Sequence, residues 1–517
     1  MDSAFFLDIP NIKTNLESWR GNFSWPVPDS EWLYLNDYAF DRFDIALASL
    51  SRTDRDLLLT DFGFLNLYLG HLHLLRVIQC ATTSGKKIIG SDPYLSVDWR
   101  GQGKIYEALP KRQMPQRLRY LTKNIILNRR FGLRCLTTWF SRASGQAMVL
   151  GSRSVLMAEY LKQHEELVSF RYPGEIVKAC PPLKILASQA AQSIVWEIAK
   201  EAQAMWKLEV NFQDIADAWA KRLSFLAGLC DQITRSYSFP KTVYASNVAQ
   251  PFIKLICLAA RQQGTEAIGF SHGHNVAATI GRPFCYVEPP QFNRFVYPTK
   301  AAATNAAENY SLSKIKNYYP VDFVSAQSTF YSQLIDRISA KPPPTIISTI
   351  MLMGFPLNAY HYLGNIACFS QFHLELGLRV IEFLKKRGYR VIYKGHPDRK
   401  SEALGVFDGI ADEVLFDPFE KNWHKADAFL FTYPGTTTFG FALCCNRPII
   451  LLDHIDRQWN KTAFNLLAKR CRIVPCKQDE RQRLIFSPEE LEQALRPPEA
   501  LDMDFVRRYL IGDIEGC

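Results

Sequence analysis

Arg390-Val391-Ile392-Tyr393-Lys394-Gly395-His396-Pro397-Asp398-Arg399 decides how the second half of the chain is read. A short apolar run gives way to Gly395 and Pro397, the composition of a buried strand, Arg390–Tyr393, entering a turn. Ahead of it, Leu374, Leu378, Ile381 and Leu384 recur on one face of a helix over Gln371–Arg387, which Gly388 ends. Thr345–Met353 reads as a buried strand before that helix. Strands Glu413–Phe416 and Ala428–Phe431, a helix from about Thr438 and a strand Pro448–Leu452 follow. Strand alternating with helix builds a parallel sheet wound on both faces. The prolines of Ala340-Lys341-Pro342-Pro343-Pro344 can continue neither a helix nor an inner strand, so they mark a linker and residues 341–517 form one α/β domain.

Outward from this domain, the same rhythm recurs in the first half. Thr242–Ala245 and Glu266–Ser271 read as strands around a helix Gln250–Gln263 that Gly264 stops. In the first hundred residues Trp32–Leu35, Leu57–Leu59 and Lys87–Ile89 read as strands, with Phe64–Thr83 a helix between the last two. From about 105 to 235 the pattern turns helical, with long segments near 183–206 and 212–235. The expectation is two doubly wound α/β domains facing a cleft, 1–340 and 341–517, the first carrying a helical basic insertion.

In open α/β sheets ligands bind beyond the carboxyl ends of strands. Three stretches occupy such ends. In the first, Lys394, His396 and Arg399 present donors suited to a phosphate, Gly395 admits close backbone approach, and Pro397 keeps His396 extended. In the second, Tyr433-Pro434-Gly435-Thr436-Thr437-Thr438, hydroxyls gather at a helix N-terminus, more than one cap needs, and free amides there attract anions. In the third, Ser271-His272-Gly273-His274-Asn275, His272 and His274 are candidate general bases, with Ser271 and Asn275 lining the cleft. Gly354, after strand Thr345–Met353, would line the same cleft. A metal site is not expected, because a His-Gly-His pair lacks a nearby carboxylate or cysteine. No GxxxxGK[ST], HExxH or CxxC occurs, which removes P-loop, zincin and zinc-ribbon readings.

Composition narrows the rest. Of 517 residues, 47% are hydrophobic and 22% charged, which excludes wholesale disorder. The net charge of +10 is local: Ala108–Ala158 holds ten Lys and Arg and no acid, so the remainder balances to zero. Within it Leu118, Leu121 and Ile125 share a helical face, with Arg117, Arg119, Lys123 and Arg130 at the other positions. That pattern suits an anionic membrane surface. Interleaved Tyr120, Trp139 and Phe140 leave nucleic-acid binding as an alternative, though no nucleic-acid motif accompanies them and no such partner is expected. Twelve cysteines in apolar surroundings read as buried small hydrophobes in a reducing cytosol. Met1-Asp2-Ser3 carries an acid where a signal peptide needs a base. Ala428–Asn446 is uncharged over 19 residues, but the turn-forming, hydroxyl-rich stretch in its middle makes it strand, loop and buried helix.

Taken together, Lys394-Gly395-His396-Pro397, the hydroxyl loop about 40 residues later and Asn446-Arg447-Pro448-Ile449-Ile450 resemble the donor half of GT-B glycosyltransferases. They are most similar to bacterial surface-polysaccharide transferases with a His-Pro motif: Kdo-, sialyl- and CDP-glycerol-transferase-like enzymes. Pro240–Asn275 resembles the matching N-terminal segment, so the likeness spans residues 240–455. It implies a GT-B-like fold of two Rossmann-like domains and a transferase moving a sugar, with Kdo or another CMP-activated acidic sugar the best fit. The acceptor would be a growing polysaccharide or lipid-linked glycan at the inner face of the cytoplasmic membrane. It further implies that Lys394 and His396 contact the donor phosphate, that Thr436, Thr437 and Thr438 cradle it, and that no metal cofactor is needed. The acidic-Gly motif that bears the base in several such families has no counterpart here, so His272 and His274 stand in. A sugar-nucleotide epimerase on the same fold is the alternative within the class.

Overall fold

A computed structural model describes residues 4–92, 94–104, 118, 121–122, 125–126, 128–129, 147–151, 154–164, 167–178, 180–209, 211–246, 251–271, 278–326, 328–338, 343–354, 370–397, 400–403 and 405–512. Two parallel sheets organise the chain. The N-terminal one is built from β3 (Ala147–Gly151), β4 (Val168–Arg171), β5 (Thr242–Ser246), β6 (Glu266–Phe270), β7 (Arg294–Tyr297) and β8 (Asp322–Ser325), in the order β4-β3-β5-β6-β7-β8. The C-terminal sheet takes β9 (Thr349–Met353), β10 (Arg390–Lys394), β11 (Glu413–Leu415), β12 (Ala428–Phe431), β13 (Ile449–His454), β14 (Arg472–Gln478) and β15 (Leu484–Phe486). Their order is β11-β10-β9-β12-β13-β14-β15, all parallel except β15. A strand buried on both faces must be apolar throughout. Accordingly β12 is apolar and buried at every position, and β13, buried throughout, is apolar until it ends in Asp453-His454.

These are two largely parallel sheets with helices between their strands, the α/β class expected from the sequence. Segments that follow the carboxyl ends of the two sheets touch. Ile280 N–H donates to Gln458 O and Asn460 N–H to Ala278 O, both at 2.9 Å, and Thr279 bridges Trp459 antiparallel. That clasp joins the segment beyond β6 to the segment beyond β13.

The first hundred residues differ from expectation. Trp32–Leu35 lies inside a helix, Asp29–Ser49, and Leu57–Leu59 inside another, Arg52–Thr60. The first buries Trp32, Leu35, Ala39, Phe40, Phe43 and Leu47, a three-to-four spacing that only a helix brings to one side. Lys87–Ile89 is a strand, β2, but it pairs with β1 (Ala4–Phe6) in a separate ribbon. The stretch 105–235 is not wholly helical either. Helices Leu186–Trp206 and Phe212–Ser236 are present, yet β3 and β4 also fall within it. Of the charged positions singled out there, Arg117, Arg119, Lys123 and Arg130 lie outside the described residues.

The chain's leading segment crosses to the other half. Arg20 pairs with Glu382 at 2.6 Å, Gln371 Nε2 donates to Phe6 O at 3.0 Å, and Phe23 and Trp25 pack on Phe372. Close by, buried Asp92 accepts from Tyr94 N–H at 2.8 Å. Burial raises its carboxyl to about 6 despite that bond. A carboxyl raised in the fold contributes stability below its unfolded value of 3.8 and loses it as pH rises through 6. Asp92→Asn keeps the acceptor and removes the buried charge. The variant should gain up to about 3 kcal/mol over wild type at pH 7.5 and little at pH 4, by urea unfolding at both. An equal effect at the two pH values would rule out this origin.

Candidate functional site

In the C-terminal sheet the strand order reverses between β9 and β12, so the crevice beyond their carboxyl ends is the place for a ligand. Gly354 follows β9 and its N–H donates to Lys394 O at 2.9 Å, binding the turns after β9 and β10 together. A side chain at 354 would collide with the Tyr393 ring, which stacks on Phe407 at 3.6 Å. Gly395 N–H donates to Leu415 O at 2.9 Å, and a Cβ there would lie 2.5 Å from the Phe416 ring. Glycine is thus required twice where the turns close on their neighbours. The result presents His396 and Pro397 to solvent.

Lys394 behaves differently from the sequence expectation of an open donor. It is buried, and its Nζ donates to the Gly395 carbonyl. Burial pulls its ammonium down to about 8, against the attraction of Glu420 and Asp417. Lys394 is the last residue of an inner strand, its backbone paired with Met353 on one side and Leu415 on the other, so its side chain leaves the sheet into a packed face. It holds the turn from beneath and leaves His396 as the group on top.

On the other side of β9, the loop after β12 leads into helix Thr437–Cys444. Thr436 is its N-cap, the hydroxyl accepting from Phe439 N–H at 3.2 Å. The hydroxyls of Thr437 and Thr438 make no hydrogen bond among the described residues, and Gly435 and Thr437 are exposed. One threonine caps and two remain available at a helix N-terminus, where amides and dipole favour an anion. With β9 between them, the His396 turn and this loop stand about two strand spacings apart, on the order of 10 Å.

Of the remaining sequence candidates, Ser271 closes β6, buried, its N–H donating to Val296 O at 3.0 Å. His272, His274, Asn275 and Arg399 lie outside the described residues. Among the described residues no group of three or more His, Cys, Asp or Glu could hold a metal ion. No described helix is long and apolar enough to cross a membrane.

Sequence reading passed over a polar cluster at the end of β13. Asp453 is buried and accepts from Arg457 Nε at 2.6 Å and from Trp459 Nε1 at 2.7 Å. The Arg457 guanidinium sits 5.4 Å from the Tyr433 ring centre, beside the hydroxyl loop. Tyr433 also meets His373 edge-on at 6.3 Å. His373 is held neutral, down to about 3, by burial and by the charge of Arg457. The signal was available: the apolar run Ile449–Leu452 ends in Asp453-His454 at the carboxyl end of an inner strand, where polar residues are expensive without a task.

Comparisons add little to this geometry. No family model matches the chain, and no curated protein matches it. Among solved structures, a UGT transferase from Siraitia grosvenorii in complex with UDP aligns over 68% of this chain and 90% of that one. The identity is 13% and the TM-score 0.33.

Proposed function

We propose that this protein is a glycosyltransferase that moves a sugar from a nucleotide donor to a glycan acceptor. One observation carries the reading: a segment after β6 of one parallel sheet clasps a segment after β13 of the other, and the switch point of the second sheet is flanked by the His396 turn and the Thr436–Thr438 loop. The donor would lie on the C-terminal sheet, its phosphates between His396 and the helix N-terminus. The acceptor would enter from the N-terminal side, where the loop bearing His272 and His274 follows β6. The acceptor oxygen attacks the anomeric carbon and gives its proton to a base on that loop, and the bond from anomeric carbon to phosphate oxygen breaks. The nucleotide leaves with the bonding electrons, its charge met by the amides and His396 rather than by a metal cofactor. Facing domains align donor with acceptor and exclude water.

Within this proposal the donor is Kdo or another CMP-activated acidic sugar and the acceptor a growing surface polysaccharide or lipid-linked glycan. The basic window 108–158 would hold the cytoplasmic enzyme against an anionic membrane. Leu118, Ile125 and Ile126 are exposed in that window, next to Asn128. Asn128 is buried and pairs with both backbone groups of Val168 on edge strand β4. CMP-, CDP-, UDP- and GDP-linked sugars, incubated in EDTA with glycan acceptors and with anionic or neutral vesicles, test every part. Nucleotide release that needs an acceptor is expected, fastest with CMP donors, with the protein floating on anionic vesicles only. Conversion of a donor without acceptor would mean an epimerase, and no turnover of any donor would sink the transferase reading. A faster UDP or GDP donor would remove only the CMP preference.

A further inference from the structure

We infer that Arg457, aligned by Asp453 and Tyr433, is the main cation that receives the donor's phosphate groups, the task the sequence suggests for Lys394. The inference rests on the transferase reading for the nature of the ligand, but its physical basis is separate. Lys394 directs its ammonium to the Gly395 carbonyl beneath the turn. Arg457 has the opposite character. Its side chain is 14% exposed, so the guanidinium is largely buried yet still reached by solvent. A guanidinium carries five N–H donors, and of these only Nε–H is engaged, on Asp453 Oδ1 at 2.6 Å. Nη1 and Nη2 make no hydrogen bond among the described residues.

Two contacts fix its direction, one to Asp453 and one to Tyr433. Asp453 is itself 7% exposed and holds Nε with one oxygen while its other oxygen takes the Trp459 indole N–H at 2.7 Å. Tyr433 lies 5.4 Å from the guanidinium carbon and begins the loop that ends in Gly435-Thr436-Thr437-Thr438. Trp459, the second donor to Asp453, pairs through its backbone with Thr279 beyond β6. An arginine held through Nε alone turns its two Nη groups outward as a planar fork, the geometry that matches two phosphate oxygens. Its approach to Tyr433 brings the guanidinium, which follows β13, to the start of the hydroxyl loop after β12, so in this inference it and the helix N-terminus share one ligand. Asp453 is a positioning residue: it acts through Arg457.

Inorganic pyrophosphate is the probe, because it tests the anion site without presuming a base or a sugar. Calorimetric titration of the full chain should show binding that Arg457→Gln weakens at least 10-fold and Arg457→Lys weakens less. Asp453→Asn should fall between wild type and Arg457→Gln. Thermal melts accompany each titration, so that lost binding with an unchanged melting temperature identifies a ligand contact. If Arg457→Gln melts lower, binding at a temperature where both proteins are folded decides. Wild type that binds no pyrophosphate, or Arg457→Gln that binds it equally well, overturns the inference. The transferase reading is judged separately by donor turnover: pyrophosphate bound through Arg457 without turnover of any nucleotide sugar keeps the anion site and discards the reaction.

Discussion

Arg222→Met is expected to lower the unfolding free energy by about 3–5 kcal/mol, because it strands a buried carboxylate. Asp61 is 1% exposed and the Arg222 side chain 8%. Nε donates to Oδ2 at 2.7 Å and Nη2 to Oδ1 at 2.6 Å, a bidentate fork, while Nη1 reaches the Gln102 amide oxygen at 3.2 Å. Water cannot take over from the arginine at that depth, so Asp61 must either stay charged without its partner or bind a proton. Both routes cost free energy. The pair ties the residue after helix Arg52–Thr60 to the long helix Phe212–Ser236, so the damage spreads to both packing partners. Replacing both residues, Asp61→Leu with Arg222→Met, should recover a large part of the loss, since a well-packed apolar pair often matches a buried ion pair. Urea unfolding of wild type, the single variant and the double variant measures this. A loss below about 1 kcal/mol in the single variant would mean that the pair is solvated in solution.

How much of this was legible in the sequence depends on what each element buries. The C-terminal sheet could be read strand by strand, because an inner parallel strand such as β12, Ala428-Phe429-Leu430-Phe431, is apolar at consecutive positions and is bounded by polar turns. In the first hundred residues the same rule misled. Trp32-Leu33-Tyr34-Leu35 and Leu57-Leu58-Leu59 are apolar runs too short to separate a strand from a buried helix segment. Over a longer window the spacing of Trp32, Leu35, Ala39, Phe43 and Leu47 carries the helix. Strands β3 and β4 were hidden for a related reason: five and four residues long, they sit inside a region whose charge and long helices dominate the pattern.

The candidate site divides in the same way. Gly354, Gly395 and Thr436 were legible, since turn closure and capping are local and leave local signatures. The burial of Lys394 was not, because it follows from β10 lying between β9 and β11. Nor was the approach of Arg457 to Tyr433, which joins the ends of two neighbouring strands. Contacts across a sheet depend on strand order, and strand order is not written in any one segment.

His396→Ala should reduce turnover of the preferred donor by about 100- to 1,000-fold, the range lost when one donor to a developing negative charge is removed. The fold should change little, because His396 is exposed just beyond the end of β10. Surface substitutions of that kind stay within about 0.5 kcal/mol. Gly395→Val gives the contrast. A side chain there meets the Phe416 ring, so either the ring or the turn must move, and the turn carries His396. Overpacking of this kind costs about 1–3 kcal/mol, so Gly395→Val should lose both turnover and melting temperature. The difference between the two variants separates a contact from its scaffold. Turnover of the donor that the panel selects, together with thermal melts, provides both readouts. If His396→Ala turns over at the wild-type rate, the His-Pro turn has no part in transfer and the charge on the leaving phosphate falls to Arg457 and the helix N-terminus. If it melts lower by as much as Gly395→Val does, the imidazole holds the turn in place and does not meet the ligand.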